Sequence, residues 1–290
     1  MNKSSATEMK AGYAAKRRAT NILVYVILSV MVVIWLFPIL WLVLQSFNTV
    51  DRVSTHLFPD GFTLDHYKTL FTDPDVPYGT WIMNTFMVAV FSCIISTLFI
   101  LMVSYALSRL RFKSRRKLLN MGLILGMFPG FMSMAATYAI MELLHMEGQL
   151  IGLIIVYSAG AGLGYQVAKG FFDTIPRSLD EAAQIDGATK NRIFWVIILP
   201  LSKPIVVYTA LTTFLGPWAD YIFVSYFMKT NEQNFTVALG LYKMLDNNHI
   251  NRYFTTFCAG AVLIAVPITI LFVIMQRFYV AGVTGGAVKG

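Results

Sequence analysis

Residues 176–204 read PRSLDEAAQIDGATKNRIFWVIILPLSKP and separate two apolar runs of the chain. Ser178 lies three residues before Glu181, which is the spacing of a capping box, in which each side chain binds the other residue's backbone N–H. Pro176 disfavours helix upstream, and Asp180 and Glu181 suit the positive end of a helix dipole. The pattern therefore predicts a short helix that begins at Ser178.

A turn and a second helix are predicted in the rest of this stretch. Gly187 stands where the left-handed residue that ends a helix is expected. The second helix is predicted to begin at about Thr189 and to stop before Pro200, because the residue before a proline disfavours helical geometry. The stretch is therefore predicted to be two helices joined by a tight turn.

The first of these helices has about eight residues, which is too short for stability on its own in water. Its Leu179, Ala182 and Ala183 follow an i, i+3, i+4 spacing and give one small apolar face. Such a face suits docking into a groove of a partner protein. The alternative interpretation is a helix that lies on the lipid headgroups.

The composition is that of a polytopic membrane protein. Hydrophobic residues make up 57% of the 290 residues and charged residues 13%, whereas a soluble domain has about 25% charged residues. Six apolar runs, uncharged except for Asp220 in the fifth, have the length of a bilayer span or nearly so. These runs are residues 22–44, 81–108, 118–141, 151–167, 205–227 and 254–275. We therefore predict an all-α polytopic fold with six transmembrane helices.

The runs divide the chain into three parts. Residues 1–21 are predicted to be a polar tail, residues 22–275 a six-helix transmembrane domain that contains the loop 168–204, and residues 276–290 a second tail. The first run is longer than the apolar core of a secretory signal, so it is predicted to be a retained helix.

Positive charge is concentrated in alternate connecting segments. The two tails, residues 109–117 and the loop 168–204 carry 18 of the 23 Lys and Arg residues. Because short loops rich in Lys and Arg stay in the cytoplasm, both termini and the loop are predicted to be cytoplasmic. The net charge of +8 is then explained by the membrane topology. A nucleic-acid partner is not expected, since no basic face with stacking aromatics is apparent.

Motifs of enzymes and metal sites are missing from the sequence. It contains no GxxxxGK[ST], GxSxG, HExxH or CxxC, so neither nucleotide binding nor catalysis is predicted in this chain. Cys93 and Cys258 are isolated in apolar runs, and the four histidines are scattered over three loops. No metal site and no disulfide are therefore predicted.

Two features within the apolar runs have alternative interpretations. Asp220, the one acid in such a run, is either a functional group in the membrane or a cap at the interface, with Trp218 as an anchor. Glycines recur four residues apart in the third and fourth runs, a spacing that favours ordinary close packing of helices. These glycines are Gly122, Gly126 and Gly130, and Gly160 and Gly164.

The spacing EAA-x3-G-x9-I-x-L-P over residues 181–200 resembles the EAA loop of the membrane subunits of ABC importers. The chain end, residues 282–290, resembles the tail of the MalG-type membrane subunits of bacterial carbohydrate importers. The resemblance covers the chain beyond its N-terminal tail. Residues 159–164 depart from it, because relatives usually have a proline there, so the shape of the fourth helix is left open.

The resemblance implies the type I ABC importer permease fold, in which the EAA loop docks on a cytoplasmic ATPase subunit. The residues that it assigns to this coupling are Glu181, Ala182, Ala183, Asp186, Gly187, Ile197, Leu199 and Pro200. In the C-terminal tail it assigns ATPase contacts to Gly285, Gly286, Lys289 and Gly290. In the loop 228–253 it places Phe235, Thr236 and Gly240 against an extracytoplasmic sugar-binding protein.

The implied assembly lies in the bacterial cytoplasmic membrane and contains a second related permease, two ATPase subunits and the sugar-binding protein. No cofactor is expected in this chain, because ATP and Mg²⁺ would bind the partner ATPase. Maltodextrin is the expected substrate, with galacto-oligosaccharides and raffinose-type sugars as alternatives, and no substrate-contacting residue is assigned. The alternative classes of protein are a secondary transporter, which would need ion ligands in the membrane, and a channel, which would need a filter or a charged ring.

Overall fold

The computed structural model describes residues 3–284 except residue 55, residues 161–163, 229–230 and residue 248; the side chains of residues 3–16, 131, 277 and 279–284 also lie outside the description. The described chain is helical. Outside the helices it has one isolated antiparallel bridge, between Asn48 and Phe62. The prediction of an all-α fold is confirmed.

The first helix, α1, spans Lys3–Gln45 and is longer than the predicted run 22–44. Residues 3–21 continue this helix, so the predicted N-terminal tail is helical where the structure describes it. Residues 22–40 are exposed on all sides of the helix, including Trp35 at 73%. The end of α1 is anchored, since Trp41 and Gln45 both donate to the backbone carbonyl of His56.

One long helix, α3 (Tyr78–Arg109), forms the centre of the fold. Helix α2 (Asp65–Thr72) precedes this 32-residue helix. Two clusters of buried apolar side chains lie towards opposite ends of α3. One includes Tyr78, Trp81 and Val88, and the other includes Ile100 and Tyr105. Because α3 contributes to both clusters, it connects the two ends of the molecule.

The third apolar run is divided. Helix α4 spans Arg115–Gly126 and α5 spans Gly130–Leu143, so the predicted helix over 118–141 is wrong. Pro129 explains the break, since proline lacks a backbone N–H and excludes helical geometry from the residue before it. The break also separates Gly126 from Gly130, and a Cβ at either would meet nothing within 4 Å. Gly122 alone of these three lies against another element, at Tyr165 of the next helix pair.

The fourth run also forms two helices, α6 (Leu150–Gly160) and α7 (Tyr165–Thr174), which meet at an angle of 42°. The shape of the fourth helix, which the sequence left open, is thus that of a bent pair. Both helices pack against α3. A Cβ at Gly160 would meet nothing within 4 Å, so the predicted close packing is not seen at this glycine.

The polar loop after α7 forms α8 (Ser178–Ile185), α9 (Lys190–Ile193), a π turn (Phe194–Ile198) and α10 (Leu199–Leu201). Helix α11 (Lys203–Ala219) then packs between α3 and the last helix. After α11 come α12 (Ile222–Met228), a 3-10 turn (Glu232–Asn234) and α13 (Val237–Lys243). The last helix, α14, spans Ile250–Thr284.

Three helices in the described chain are long and apolar enough to cross a membrane, or five when each of two bent pairs counts as one span. The predicted number of six is therefore not matched by length and composition alone. The run that forms no such helix or pair is 118–141, which divides at Pro129. Helix α11 belongs to one of the two bent pairs, because it meets the segment Lys190–Leu201 at 85°.

Candidate partner-docking site

Helix α8 begins at the predicted residue, but its N-terminus is not capped as predicted. Its N-cap is Arg177, which has helical geometry (φ −69°, ψ −21°), and no side chain caps the helix. Ser178 lies inside the first turn, and the N–H of Glu181 donates to the carbonyl of Arg177 at 3.1 Å. The predicted capping box is therefore wrong, because the helix starts one residue too early for the Ser178 hydroxyl to reach the N–H of Glu181.

Gly187 ends α8 in the predicted left-handed conformation, with φ +80°. The N–H of Gly187 donates to the carbonyl of Gln184, and the N–H of Ala188 donates to the carbonyl of Ala183. These two bonds are the pair that defines a Schellman motif. The prediction of a C-cap at Gly187 is confirmed, and Asp186 is the exposed residue just before it.

The second helix of the loop begins as predicted and ends later. The Thr189 hydroxyl accepts from the N–H of Arg192 at 3.3 Å, which caps α9. The helical path then continues through Pro200 to Leu201, so the predicted end before Pro200 is wrong. The π turn Phe194–Ile198 explains this, since its wider ring opens the backbone where a proline would otherwise clash with the preceding turn.

Arg109, the last residue of α3, holds this loop in place. Its Nη2 donates to the carbonyl oxygens of Phe172 (2.6 Å) and Ile175 (2.8 Å) at the end of α7. Its Nη1 donates to the carboxylate of Asp180 in α8 at 3.1 Å. The Arg109 side chain is only 4% exposed and that of Asp180 13%. One guanidinium thus joins three helices.

Further contacts hold the loop against the same end of α3. The Tyr105 hydroxyl donates to the carbonyl of Lys190 at 2.9 Å. The Ser108 hydroxyl donates to the carboxylate of Asp173 at 2.6 Å. Ala183 is buried in an apolar cluster with Phe172 and other residues of α3, α7, α9 and the π turn. The loop is therefore held against the rest of the chain by hydrogen bonds and apolar packing.

The outward face of α8 differs from the predicted one. Ala183 points into the protein, whereas Leu179, Ala182 and Ile185 are exposed, Ile185 at 87%. The predicted face of Leu179, Ala182 and Ala183 is therefore wrong, because Ala183 and Asp180 are used for attachment. Glu181 is exposed, and no hydrogen bond of its side chain to the described residues is seen. Together with Ala182 and Ile185, it forms the outward face.

The remaining predicted coupling residues lie along the second helical segment. Ile197 and Leu199 are half-buried, and Pro200 is exposed. Exposed apolar side chains beside them, Trp195 and Val196, extend the outward surface. Gly285, Gly286, Lys289 and Gly290 lie outside the described residues.

At the opposite end of α3, the loop 228–253 is folded onto the helix. Asn84 donates to the carbonyl oxygens of Gln233 (2.8 Å) and Phe235 (3.1 Å). The Thr85 hydroxyl accepts from the N–H of Val237 at 2.8 Å. A Cβ at Gly240 would lie 2.2 Å from Trp81 Cδ2, so only glycine fits there.

Three residues predicted to contact a binding protein are therefore used inside the chain. Phe235 is 5% exposed, Thr236 is fully buried and Gly240 is buried. These three residues form the core of the loop, and their role towards a binding protein stays a prediction. Among the described residues of the same loop, the exposed ones are Asn231, Glu232, Gln233, Tyr242, Asp246, Asn247, Asn251 and Arg252.

Asp220 lies in the break between α11 and α12. Its carboxylate accepts from the N–H of Phe223 at 3.0 Å and from the Tyr157 hydroxyl at 2.9 Å. Of the two interpretations, the structure supports the cap, since the carboxylate satisfies a free N–H at the start of α12.

Sequence reasoning missed the residues that hold the loop. Arg109 was counted only as a topological charge, and Asp180 only as a helix-dipole partner. No local pattern identifies the pair, because its members are 71 residues apart. The available signal was a basic residue at the end of an apolar run together with an acid in the first turn of a short helix.

Comparison with known proteins gives a consistent result. The family model described as "Binding-protein-dependent transport system inner membrane component" matches residues 11–284. The galactooligosaccharides transport system permease protein GanQ of Bacillus subtilis is 36% identical over 285 residues, covering 97% of this chain and 100% of that protein. The maltodextrin transport system permease protein MalD of Streptococcus pneumoniae is 38% identical over 278 residues, covering 95% and 98%.

A solved structure has the same fold. A chain of a bacterial ABC transporter involved in the import of the acidic polysaccharide alginate superposes with a TM-score of 0.79 at 22% identity. The match covers 91% of this chain and 98% of that chain. At this identity the likeness concerns the fold alone.

Replacing Arg109 with Met should destabilise the protein. The substitution removes two carbonyl contacts and leaves the Asp180 carboxylate buried without its partner, which costs about 3–5 kcal/mol of the free energy of unfolding. The expected result is a lower midpoint of thermal unfolding of the purified protein in detergent.

Two variants separate the ion pair from simple loss of volume. Arg109→Lys keeps the charge but lacks the planar fork, so it should restore only part of the stability. In Arg109→Met/Asp180→Leu no buried charge is left unpaired, so this variant should be more stable than Arg109→Met. An unchanged midpoint in Arg109→Met would contradict the anchoring role.

Proposed function

The chain belongs to the family of binding-protein-dependent transport system inner membrane components, and on that premise we propose that it forms half of the translocation pathway of an ATP-driven oligosaccharide importer. Its relatives of 36% and 38% identity are permease proteins for galactooligosaccharides and for maltodextrin. Maltodextrin is the proposed substrate. Galacto-oligosaccharides are the second candidate, because a galactooligosaccharide permease matches along almost the whole chain.

The observation that carries the proposal is the two-sided arrangement of α8. One side is fixed to the subunit by Asp180, which binds Arg109, and by the buried Ala183. The other side presents Glu181, Ala182 and Ile185 to the surroundings. A short helix that is fixed on one side and exposes apolar and acidic side chains on the other suits a groove on a partner protein.

The partner for this face is a cytoplasmic ATPase subunit. The sequence has no phosphate-binding loop, so ATP and Mg²⁺ are assigned to that partner and not to this chain. A second, related permease and an extracytoplasmic sugar-binding protein complete the assembly. The family description supports the last of these, since it specifies transport that depends on a binding protein.

A secondary transporter is the weaker interpretation of the same chain. It would need ionisable ligands for a coupling ion within the membrane. The one acid within an apolar run, Asp220, caps α12 and binds the Tyr157 hydroxyl, so its carboxylate already has structural partners.

Sugar uptake tests the proposed function directly. Cells that express this chain with its partner subunits should take up labelled maltotetraose in an ATP-dependent manner, and deletion of this chain should abolish the uptake. Labelled galacto-oligosaccharides in the same cells test the second candidate. Uptake that depends on an ion gradient and survives loss of the ATPase would contradict the importer.

The orientation places both termini and the loop 168–204 in the cytoplasm. The support is the concentration of Lys and Arg in alternate segments, since such segments are retained on the inner side. In a chain without its native cysteines, Lys113→Cys should be protected from an impermeant thiol reagent in intact cells, and Gln233→Cys should be labelled. The reverse labelling pattern would overturn the orientation.

Glu181 is proposed to bind a cation on the ATPase subunit. Because the capping box is not formed, the exposed carboxylate has no role within α8 that Gln could take over. Loss of one member of a desolvated pair costs about 2–5 kcal/mol. We therefore expect Glu181→Gln to lower ATP hydrolysis stimulated by the sugar-loaded binding protein by about tenfold or more, since about 1.4 kcal/mol is tenfold.

The measurement is the ATPase activity of the reconstituted complex with and without loaded binding protein. Glu181→Asp is the matched control, because it keeps the charge, and it should retain more activity than Glu181→Gln. If Glu181→Gln and the wild type are equally active, the contact with the ATPase lies in Ala182 and Ile185 instead.

A further inference from the structure

The segment between α3 and α4 carries unpaired positive charge. Residues 109–117 contain six Lys or Arg residues and no acid. Two of them have partners in the fold: Arg109 binds Asp180, and Arg115 Nε donates to the carbonyl of Leu107 at 2.7 Å. The other four form no ion pair with the described acids. They are Arg111, Lys113, Arg116 and Lys117.

Three of these cations lie around one cavity. It has a volume of about 340 Å³ and is lined by Arg111, Phe112, Lys113, Arg115, Arg116 and Leu119. No acid is among its lining residues. An occupant that neutralised this cavity would have to be an anion.

An apolar groove of about 330 Å³ adjoins this cavity. It runs between α3 and α4, and its lining includes Val103, Ala106, Leu118, Met121 and Leu125. Phe112 lines both spaces and is 40% exposed. The Phe112 side chain is therefore a wall shared by the two spaces.

The floor of the groove is rigid. A Cβ at Gly122 would lie 2.6 Å from the Tyr165 hydroxyl oxygen, so α4 approaches α7 closely at this glycine. The Tyr165 hydroxyl donates to the carbonyl of Leu119 at 3.3 Å. The groove is thus a built feature of the fold, fixed by contacts between α4 and α7.

We propose that the cavity and the groove together bind one anionic phospholipid, with its phosphate among Arg111, Lys113 and Arg116 and one acyl chain in the groove between α3 and α4. Topology explains why cations are retained in this segment, but it does not require an apolar groove beside them. Basic pockets next to transmembrane helices are suited to anionic headgroups. A soluble partner would have no apolar chain to place along the membrane helices.

The site adjoins the docking surface. Arg111 also lines a space beside Glu181 and Lys190. For this reason the test leaves Arg111 unchanged and uses Lys113 and Arg116, which line only the lipid cavity.

The test is native mass spectrometry of the full importer complex in detergent, titrated with dioleoyl-phosphatidylglycerol or with dioleoyl-phosphatidylcholine. The wild type should bind phosphatidylglycerol at least tenfold more tightly than phosphatidylcholine. Lys113→Gln/Arg116→Gln should lose this preference, because each basic residue near an anionic lipid contributes about fivefold. Ala106→Leu, which fills the groove and keeps every charge, should weaken the binding of both lipids.

The matched control is Lys117→Gln/Lys203→Gln, which removes the same charge from exposed positions outside the cavity. Its affinity for phosphatidylglycerol should stay within threefold of the wild type. Equal loss in this control, equal binding of the two lipids, or displacement of the lipid by millimolar inorganic phosphate would overturn the proposal. So would a complex that binds no lipid in the groove because a partner subunit covers it.

Discussion

The arrangement of the candidate site depends on one buried guanidinium. The fork of Arg109 satisfies carbonyl groups at the C-terminal end of α7, which a helix leaves without intrahelical partners, and it binds the Asp180 carboxylate of α8. A buried charge is tolerated only when its hydrogen bonds are largely satisfied. The position of α8 is therefore set by the need to complete the contacts of Arg109. The buried Nε of Arg109 and Oδ1 of Asp180 have no partner among the described residues, so the pair meets through a single oxygen.

Some features that depend on neighbouring residues alone could be predicted from the sequence. Gly187 was found from its position after a short amphipathic stretch, and the Schellman bonds confirm it, because they involve neighbouring residues only. The all-α class followed from composition and from the apolar runs. Pro129 was visible in the sequence, yet the apolar residues around it suggested one continuous span. Arg109 and Asp180 could not be paired from sequence, since their contact depends on how α3, α7 and α8 pack. The burial of Phe235 and Thr236 was not foreseen for the same reason, because burial by α3 is a tertiary property.

Helix α3 holds a loop at each of its ends by side chains that bind backbone groups. At one end Asn84 and Thr85 bind the segment that leads into α13. At the other end Tyr105 and Arg109 bind the segments around α8 and α9. Such contacts fix the path of a loop without fixing the identity of its side chains. The exposed residues of both loops are thus free to suit different partners, while the buried residues keep each loop in register with the helix.

The sharp bend at Ser202 has a mechanical consequence. The segment Lys190–Leu201 and α11 meet at 85° with one residue between them. Together they form an L-shaped unit with two arms at nearly a right angle. Force along the first arm emerges as sideways force on the second. Because α11 packs between α3 and α14, sideways displacement of its base changes how those helices meet. A push along the first arm would therefore turn α11 against those helices, without any element having to stretch.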